Sequence, residues 1–267
     1  MSDILDTERQ ETLAKEHESL QKQKVEGFQE YSNDLNSLNS KQFAKFLVTS
    51  SQVKPFMRDL KNFMRDGIKP YHALKEIIDF FSNEGDLVLD VFSGSGENLK
   101  MLSDMNRVCT GIEKDTKKVE AYKNSVLEDS FLEEAVIIEK DALQAVSELR
   151  AKYDFILLDP PVKTQKSELK AENIGDLPIL EYIFYIKNVI ESLKNNLNNG
   201  KYLVCLMQDF YFKGEYYMLP ALVASEVKSL KFKGIKIYSR QLDINNIPNK
   251  KVYAPVQNHF YALIFTI

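Results

Sequence analysis

Residues 86–96 read Asp-Leu-Val-Leu-Asp-Val-Phe-Ser-Gly-Ser-Gly (DLVLDVFSGSG). The first seven are mainly apolar and of strand length, and Ser93-Gly94-Ser95-Gly96 imposes a tight turn directly after them. Glycine accepts backbone angles that other residues avoid and lets a ligand come close to the main chain. The residues that follow, from Glu97, read as a helix. In open α/β sheets ligands bind at the carboxyl ends of the strands, and this stretch supplies such an end with a glycine turn on it.

The same rhythm continues on both sides. A helix at YHALKEIIDFFSNEG (71–85) precedes the stretch, and strands follow at 107–113, 135–141, 153–159 and 201–209, with helices between them. Another helix is expected near 216–229, and the chain closes on strands at 232–241 and 259–267 with only a loop between. Near-continuous apolar strands separated by helices predict a parallel sheet covered on both faces. Two final strands without a helix between them predict a terminal hairpin, hence one antiparallel strand. That hairpin separates a methyltransferase arrangement from a plain dinucleotide fold. The fold class predicted is α/β, a Rossmann-like class I methyltransferase with a mostly parallel seven-stranded sheet, on residues 69–267. Residues 1–68 are polar, with sparse apolar positions, and read as a helical N-terminal arm.

Bulk properties narrow the class. A chain of 267 residues that is 44% hydrophobic can bury one large core. The N-terminus lacks a basic stretch followed by an apolar one, and no apolar run reaches about 18 residues, so a cytoplasmic protein without a membrane span is expected. Cys109 and Cys205 both lie in strand-like runs and read as buried free thiols. His17, His72 and His259 are far apart in sequence, and no spacing suggests a metal site. The net charge of -4 hides an asymmetry, since residues 213–251 hold eight Lys/Arg against three acids. Lys54, Arg58, Lys61, Arg65 and Lys69 form a second basic stretch. Both stretches, with Lys163, Lys166 and Lys170, are places where nucleic-acid phosphates could dock; the plainer alternative is solvated surface.

Three acids end three successive strands: Asp90 at the first, Glu113 at the second and Asp141 at the third. Glu113 stands where an acid accepts hydrogen bonds from ribose hydroxyls, and Asp141 where it meets an adenine amino group. The loop lacks the third glycine of G-x-G-x-x-G and has Asn98 and Leu99 there instead. A dinucleotide needs that third close approach for its pyrophosphate. S-adenosylmethionine (AdoMet) has no pyrophosphate, and the spacing points to it. Asp159-Pro160-Pro161-Val162 then ends the fourth strand. Two prolines fix the backbone there and remove two N–H donors, leaving carbonyls to face a pocket. An amino nitrogen conjugated to a ring is a poor nucleophile. Accepting its hydrogens on the Asp159 carboxylate and the Pro160 carbonyl would draw its lone pair out of the ring.

Together these residues resemble the AdoMet-dependent amino-methyltransferases that modify DNA adenine at N6 or cytosine at N4, whose signature is (Asp/Asn/Ser)-Pro-Pro-aromatic with a D-x-F-x-G-S-G loop. The likeness runs over 69–267. It implies that Lys69, Pro70 and His72 close over the methionine end of AdoMet. It further implies that Asp90, Phe92, Gly94, Ser95, Gly96, Glu113, Lys114, Asp141, Ala142 and Asp159 line the cofactor, and that Asp159, Pro160, Pro161 and Val162 form the catalytic motif. Val162 departs from the pattern, which has an aromatic ring that stacks on the base; such stacking is worth roughly 1–3 kcal/mol. Phe210, Tyr211, Phe212 and Tyr253 are candidates to replace it. No region is long enough for a separate target-recognition domain. The partner implied is nucleic acid, DNA ahead of RNA, with a protein partner or self-association through the arm as a further option. An RNA base methyltransferase and a non-catalytic methyltransferase-like subunit remain the alternatives.

Overall fold

The computed structural model describes residues 71–128, 135–164, 174–239 and 259–267. The arm at 1–68, with Lys69 and Pro70, lies outside the described residues, as do Lys166, Lys170 and Tyr253.

The expected alternation forms in order. Helix α1 (Tyr71–Phe81) leads into β1 (Leu87–Val91), α2 (Glu97–Asp104), β2 (Val108–Glu113), α3 (Thr116–Glu128), β3 (Val136–Glu139), α4 (Ala142–Glu148) and β4 (Tyr153–Leu158). After a short 3-10 turn at Ile174–Asp176 come α5 (Ile179–Ser192) and β5 (Leu197–Met207). A small hairpin, β6 (Phe210–Phe212) and β7 (Glu215–Tyr217), precedes α6 (Leu219–Glu226), β8 (Lys231–Ser239) and β9 (His259–Thr266). The main sheet runs β3-β2-β1-β4-β5-β9-β8. Its first five strands are parallel, and β9 is antiparallel to both β5 and β8. This is the seven-stranded Rossmann-like methyltransferase sheet.

Strand sequences explain why both faces are covered. Leu89, Val91, Ile156 and Leu158 point into a core shared with Val146 of α4, Ile186 and Ile190 of α5 and Val223 of α6. Their alternates Val88 and Phe155 point the other way and are equally buried. On that second face Phe81 of α1 stacks on Phe155 at 5.8 Å and meets Tyr202 at 5.2 Å. Farther along α1, Glu76 takes a hydrogen bond from Lys236 of β8 at 2.6 Å. Helix α1 therefore spans the sheet from β4 to its β8 edge. Burying a carboxylate-paired lysine there is tolerable because its charge is matched on site.

Two elements differ from the sequence expectation. The helix expected near 216–229 is shorter, because Phe210–Tyr217 pairs as the β6–β7 hairpin before α6 starts at Leu219. Its aromatic, β-prone residues and the Lys213-Gly214 turn, both at positive φ, favour the hairpin. Strand β5 starts at Leu197 rather than at 201, taking Asn198-Asn199-Gly200 into a strand interrupted by an irregular register against β4. Cys109 and Cys205 are buried free thiols as expected. Among the described residues no helix is long and apolar enough to cross a membrane, and no group of residues could hold a metal ion.

Candidate functional site

The parallel register sets the carboxyl ends of β2, β1 and β4 side by side. Asp90 pairs with Gly111 on one side and Leu157 on the other, so Glu113 and Asp159 each stand two residues further along. With neighbouring strands about 5 Å apart, three carboxylates converge on one rim.

The loop after β1 is built almost wholly from main chain. Phe92 and Ser93 both donate their N–H to the Ile112 carbonyl at 2.9 Å, which bends the chain sharply over β2. Phe92 adopts φ 71, a left-handed conformation that costs a non-glycine residue on the order of 1–3 kcal/mol and is concentrated at binding sites. The Ser93 hydroxyl donates to the Asp90 carbonyl and accepts from the Ile112 N–H, so a short buried side chain ties the turn to both strands. Gly94 and Gly96 are both left-handed, at φ 59 and 86. A Cβ on Gly96 would stand 2.2 Å from the Tyr122 ring of α3, whereas one on Gly94 would meet nothing within 4 Å. One glycine is required by packing; the other opens onto free space above the loop.

Glu113 is buried and fastened to this loop. One oxygen accepts the Gly94 N–H at 2.9 Å, and the other accepts the N–H groups of Lys114 and Asp115 at 3.0 and 2.9 Å. A carboxylate offers about four lone-pair directions, so capacity for a ligand hydroxyl remains. Asp90 is fully buried, with one oxygen 3.4 Å from the Asn98 amide and the other without a hydrogen-bond partner. Burial, then the nearby Asp159 carboxylate, pushes its pKa up to about 8. A buried acid with an unanswered oxygen, an open glycine and a carboxylate with accepting capacity left together suit a ligand carrying a hydroxyl and a positive group.

Asp141 stands at the end of β3 but is already employed. It caps α4, accepting the Leu143 N–H at 3.0 Å, and its other oxygen accepts the Tyr185 hydroxyl at 2.8 Å. Asp141 and Gln144 sit at capping-box spacing, a signal present in the sequence. Ala142 is buried in the first turn of α4; Lys114 and Ser95 are exposed, and Ser95 donates to Glu97. His72 is exposed on α1. The close helix–strand packing that a third loop glycine would give is supplied instead by Gly111 on β2. A Cβ there would stand 2.5 Å from Ser93 and 2.7 Å from Leu99.

Asp159, half-buried, leaves β4 with its N–H on the Val91 carbonyl at 3.2 Å, which ties the Asp-Pro-Pro turn to β1. Pro160 is buried, and the Pro161 carbonyl accepts the hydroxyl of Tyr182, whose own ionisation is suppressed by burial and by Cys205 and Asp159 nearby. Val162 is half-buried. Lys163, expected on the surface to track phosphates, is instead buried, at 9% exposed. Its ammonium donates to the Thr164 and Gly175 carbonyls at 2.9 and 3.1 Å and lies 5.0 Å over the Phe210 ring. Phe210 is buried, stacked on Phe212 at 5.8 Å, while Tyr211 and Phe212 are half-buried on the hairpin. Lys233 and Lys236, expected on a phosphate-binding stretch, also point inward.

A cluster around one carboxylate on this rim had no sequence signal. Asp209, just past β5, accepts the hydroxyls of Tyr216 at 2.5 Å and Tyr261 at 2.7 Å and lies 3.3 Å from the His259 ring. It joins the end of β5, the hairpin and the start of β9, residues up to 52 apart in sequence.

Residues 6–124, a little under half of the chain, match the sequence profile of a family described as DNA methylase, of the N6/N4 methyltransferase type. The likeness is to the same type of family that the sequence motifs resemble. The methylase match takes in the glycine loop and Glu113, begins upstream of residue 69 and stops short of Asp159. No curated protein matches the chain. Among solved structures, TrmN from Thermus thermophilus superposes with a TM-score of 0.52 at 18% identity, covering 78% of this chain and 52% of its own. The chain thus spans about half the length of that relative. A candidate rRNA-methylase from Clostridium thermocellum superposes with a TM-score of 0.51 at 13% identity, covering 75% of this chain and 99% of its own. At such identities the likeness is one of fold, and the fold is that of methyltransferases.

Proposed function

We propose that the chain is an AdoMet-dependent methyltransferase acting on an exocyclic amino group of a nucleic-acid base, DNA adenine N6 or cytosine N4 first. The observation that carries this reading is the adjacency of the Asp159-Pro160-Pro161 turn to the Asp90–Gly96 loop, the two joined by the Asp159 N–H to Val91 hydrogen bond. Gly94 leaves room for the cofactor, Glu113 holds a ribose hydroxyl, Asp90 faces its cationic end, and Asp141 with Ala142 flanks its adenine. Bound AdoMet supplies an electrophilic methyl group.

The chain's own residues prepare the nucleophile. The Asp159 carboxylate and the Pro160 carbonyl accept the two amino hydrogens, which localises the nitrogen lone pair and aims it. When the nitrogen gains the methyl group it sheds one proton, and the Asp159 carboxylate receives it. Tyr182 fixes the turn through the Pro161 carbonyl, so the acceptor groups are set before substrate arrives. Phe212 and Tyr211 of the hairpin are the described aromatics able to replace the ring absent at Val162.

An RNA base is the second reading. The stretch from Asp159 to β5 is only about 40 residues long, too short for a separate recognition domain, and looped RNA presents bases already unstacked. Transfer of tritiated methyl from AdoMet to DNA and to RNA, followed by nucleoside analysis, tests both. Labelled N6-methyladenine or N4-methylcytosine from DNA is expected. Label only in RNA selects the second reading, and no label in either with AdoMet bound leaves a non-catalytic subunit.

A further inference from the structure

Asp90 occupies an unusual position for an acid. Its side chain is fully buried, and its neighbours on both flanking strand ends are also carboxylates: Glu113 at the end of β2 and Asp159 just past β4. From α2 it is met by the neutral Asn98 amide at 3.4 Å, and from the loop by Ser93, whose hydroxyl is directed at the Asp90 carbonyl. None of the ion pairs among the described residues reaches Asp90 or Glu113. Two of the three acids therefore crowd a third that has one unanswered oxygen and no counter-charge.

We infer that Asp90 is held as a neutral carboxylic acid in the ligand-free protein and gives up its proton to solvent when the cationic end of AdoMet arrives, so that cofactor binding is coupled to release of one proton. This rests on the AdoMet reading of the same site. Burial in low dielectric penalises the charged form, and a neighbouring like charge penalises it again. The raised pKa of about 8 agrees in direction with the geometry. A cation placed beside the carboxyl reverses the balance, because attraction to a buried charge now stabilises the ionised form. The O–H bond of the Asp90 carboxyl breaks, its electron pair stays on the oxygen, and the proton leaves to buffer.

The linkage has a definite sign. Below the pKa of the free site, AdoMet binding must displace a proton, so the dissociation constant falls about tenfold per pH unit as pH rises. Above it the constant levels off. The same acid makes the ligand-free protein lose stability as pH rises from the ordinary carboxylate range to about 8, since only the folded chain keeps the proton there.

Calorimetric titration of the full chain with AdoMet, at pH 7 in buffers of different ionisation enthalpy, counts the protons exchanged. The expected result is release of about one proton at pH 7, fading toward zero above pH 9, and loss of that release in D90N. Equal proton exchange by wild type and D90N overturns the inference while leaving the cofactor reading intact. Absence of binding by the wild type removes both. A 13C carboxyl titration of the ligand-free protein gives a second readout that needs no cofactor. Asp90 is expected to titrate far above ordinary carboxylates, and a midpoint near 4 overturns the inference whatever AdoMet does.

Discussion

The two halves of the rim are built by different means. On the β1–β2 side, the loop at 90–96 is set by main-chain hydrogen bonds to Ile112, by two left-handed glycines and by Glu113 gripping the Gly94 amide. On the β4–β5 side, the Asp159-Pro160-Pro161 turn and its surroundings are tied by side chains: Tyr182 holds the turn itself at Pro161, Lys163 holds the loop after it at Gly175 and over Phe210, and Asp209 joins β5 to the hairpin and β9 through Tyr216, Tyr261 and His259. A backbone-built site is specified by a short motif and accepts little variation. A site held by side-chain struts depends on residues far apart and can be retuned one strut at a time. The DNA-methylase match covers the first half and ends before the second, in step with that division.

The strongest test of the comparison lies on the acceptor side. D159A removes the group proposed to accept an amino hydrogen and take the proton, while leaving the Gly94–Glu113 clasp untouched. Methyl transfer is expected to fall by about 10²–10⁴-fold, the usual scale for a lost general base, with AdoMet affinity changed less than about threefold. Tritium transfer and calorimetry on the same preparation check both. Unchanged turnover removes Asp159 from the mechanism.

Next comes a contrast inside the backbone-built half. G96A drives a methyl into Tyr122 and keeps a left-handed backbone, which together cost about 2–5 kcal/mol. G94A keeps only the backbone penalty, about 1–2 kcal/mol, because its methyl enters open space. That space is where the cofactor is proposed to lie, so G94A is expected to fold and to lose AdoMet affinity. Urea melts separate the two variants, and calorimetry reads the binding. Equal stability losses with equal affinities would mean that the two glycines serve one purpose.

Legibility in the sequence follows the same line. Apolar strand runs and their spacing give the parallel sheet, and the missing helix between the last two strands gives β9 its direction. Asp90, Gly94, Gly96 and Glu113 are close in sequence, so their convergence is a local fact. Gly111, by contrast, takes the packing role of a third loop glycine from another strand, and a sequence motif does not register that. Asp141 reads as a ligand acid, yet its spacing to Gln144 also encodes a helix cap, and the structure shows the cap. Lys163 reads as a surface cation because lysines usually are exposed. Its burial depends on carbonyls at 164 and 175 and on a ring at 210, contacts that exist only once β5 and the hairpin are in place.

K163M sharpens the strut side. Methionine fills similar space but donates nothing, leaving the Thr164 and Gly175 carbonyls without the ammonium. A stability loss of about 1–3 kcal/mol is expected. The turnover number should fall while AdoMet affinity holds, because the strut's contacts at 164, 175 and 210 lie on the β4–β5 side. A matching loss of cofactor affinity would show that the two halves are not independent.

The smallest effect falls on the boundary between the halves, where Tyr185 of α5, on the acceptor side, donates to Asp141 on the cofactor side. Y185F removes that hydroxyl and nothing else. Asp141 keeps its cap on Leu143, and its second oxygen regains both lone pairs. If Tyr185 competes with the cofactor's adenine amino group for that oxygen, Y185F should tighten AdoMet binding. A carboxylate oxygen accepts two hydrogen bonds, however, so the hydroxyl and an amino group fit together. The expected outcome is therefore a stability loss of about 0.5–1.5 kcal/mol by urea melt with AdoMet affinity within twofold of wild type. D141A in the same measurements should cost about 1 kcal/mol more through the lost cap. It should weaken AdoMet as well, and failure to do so would confine Asp141 to capping α4.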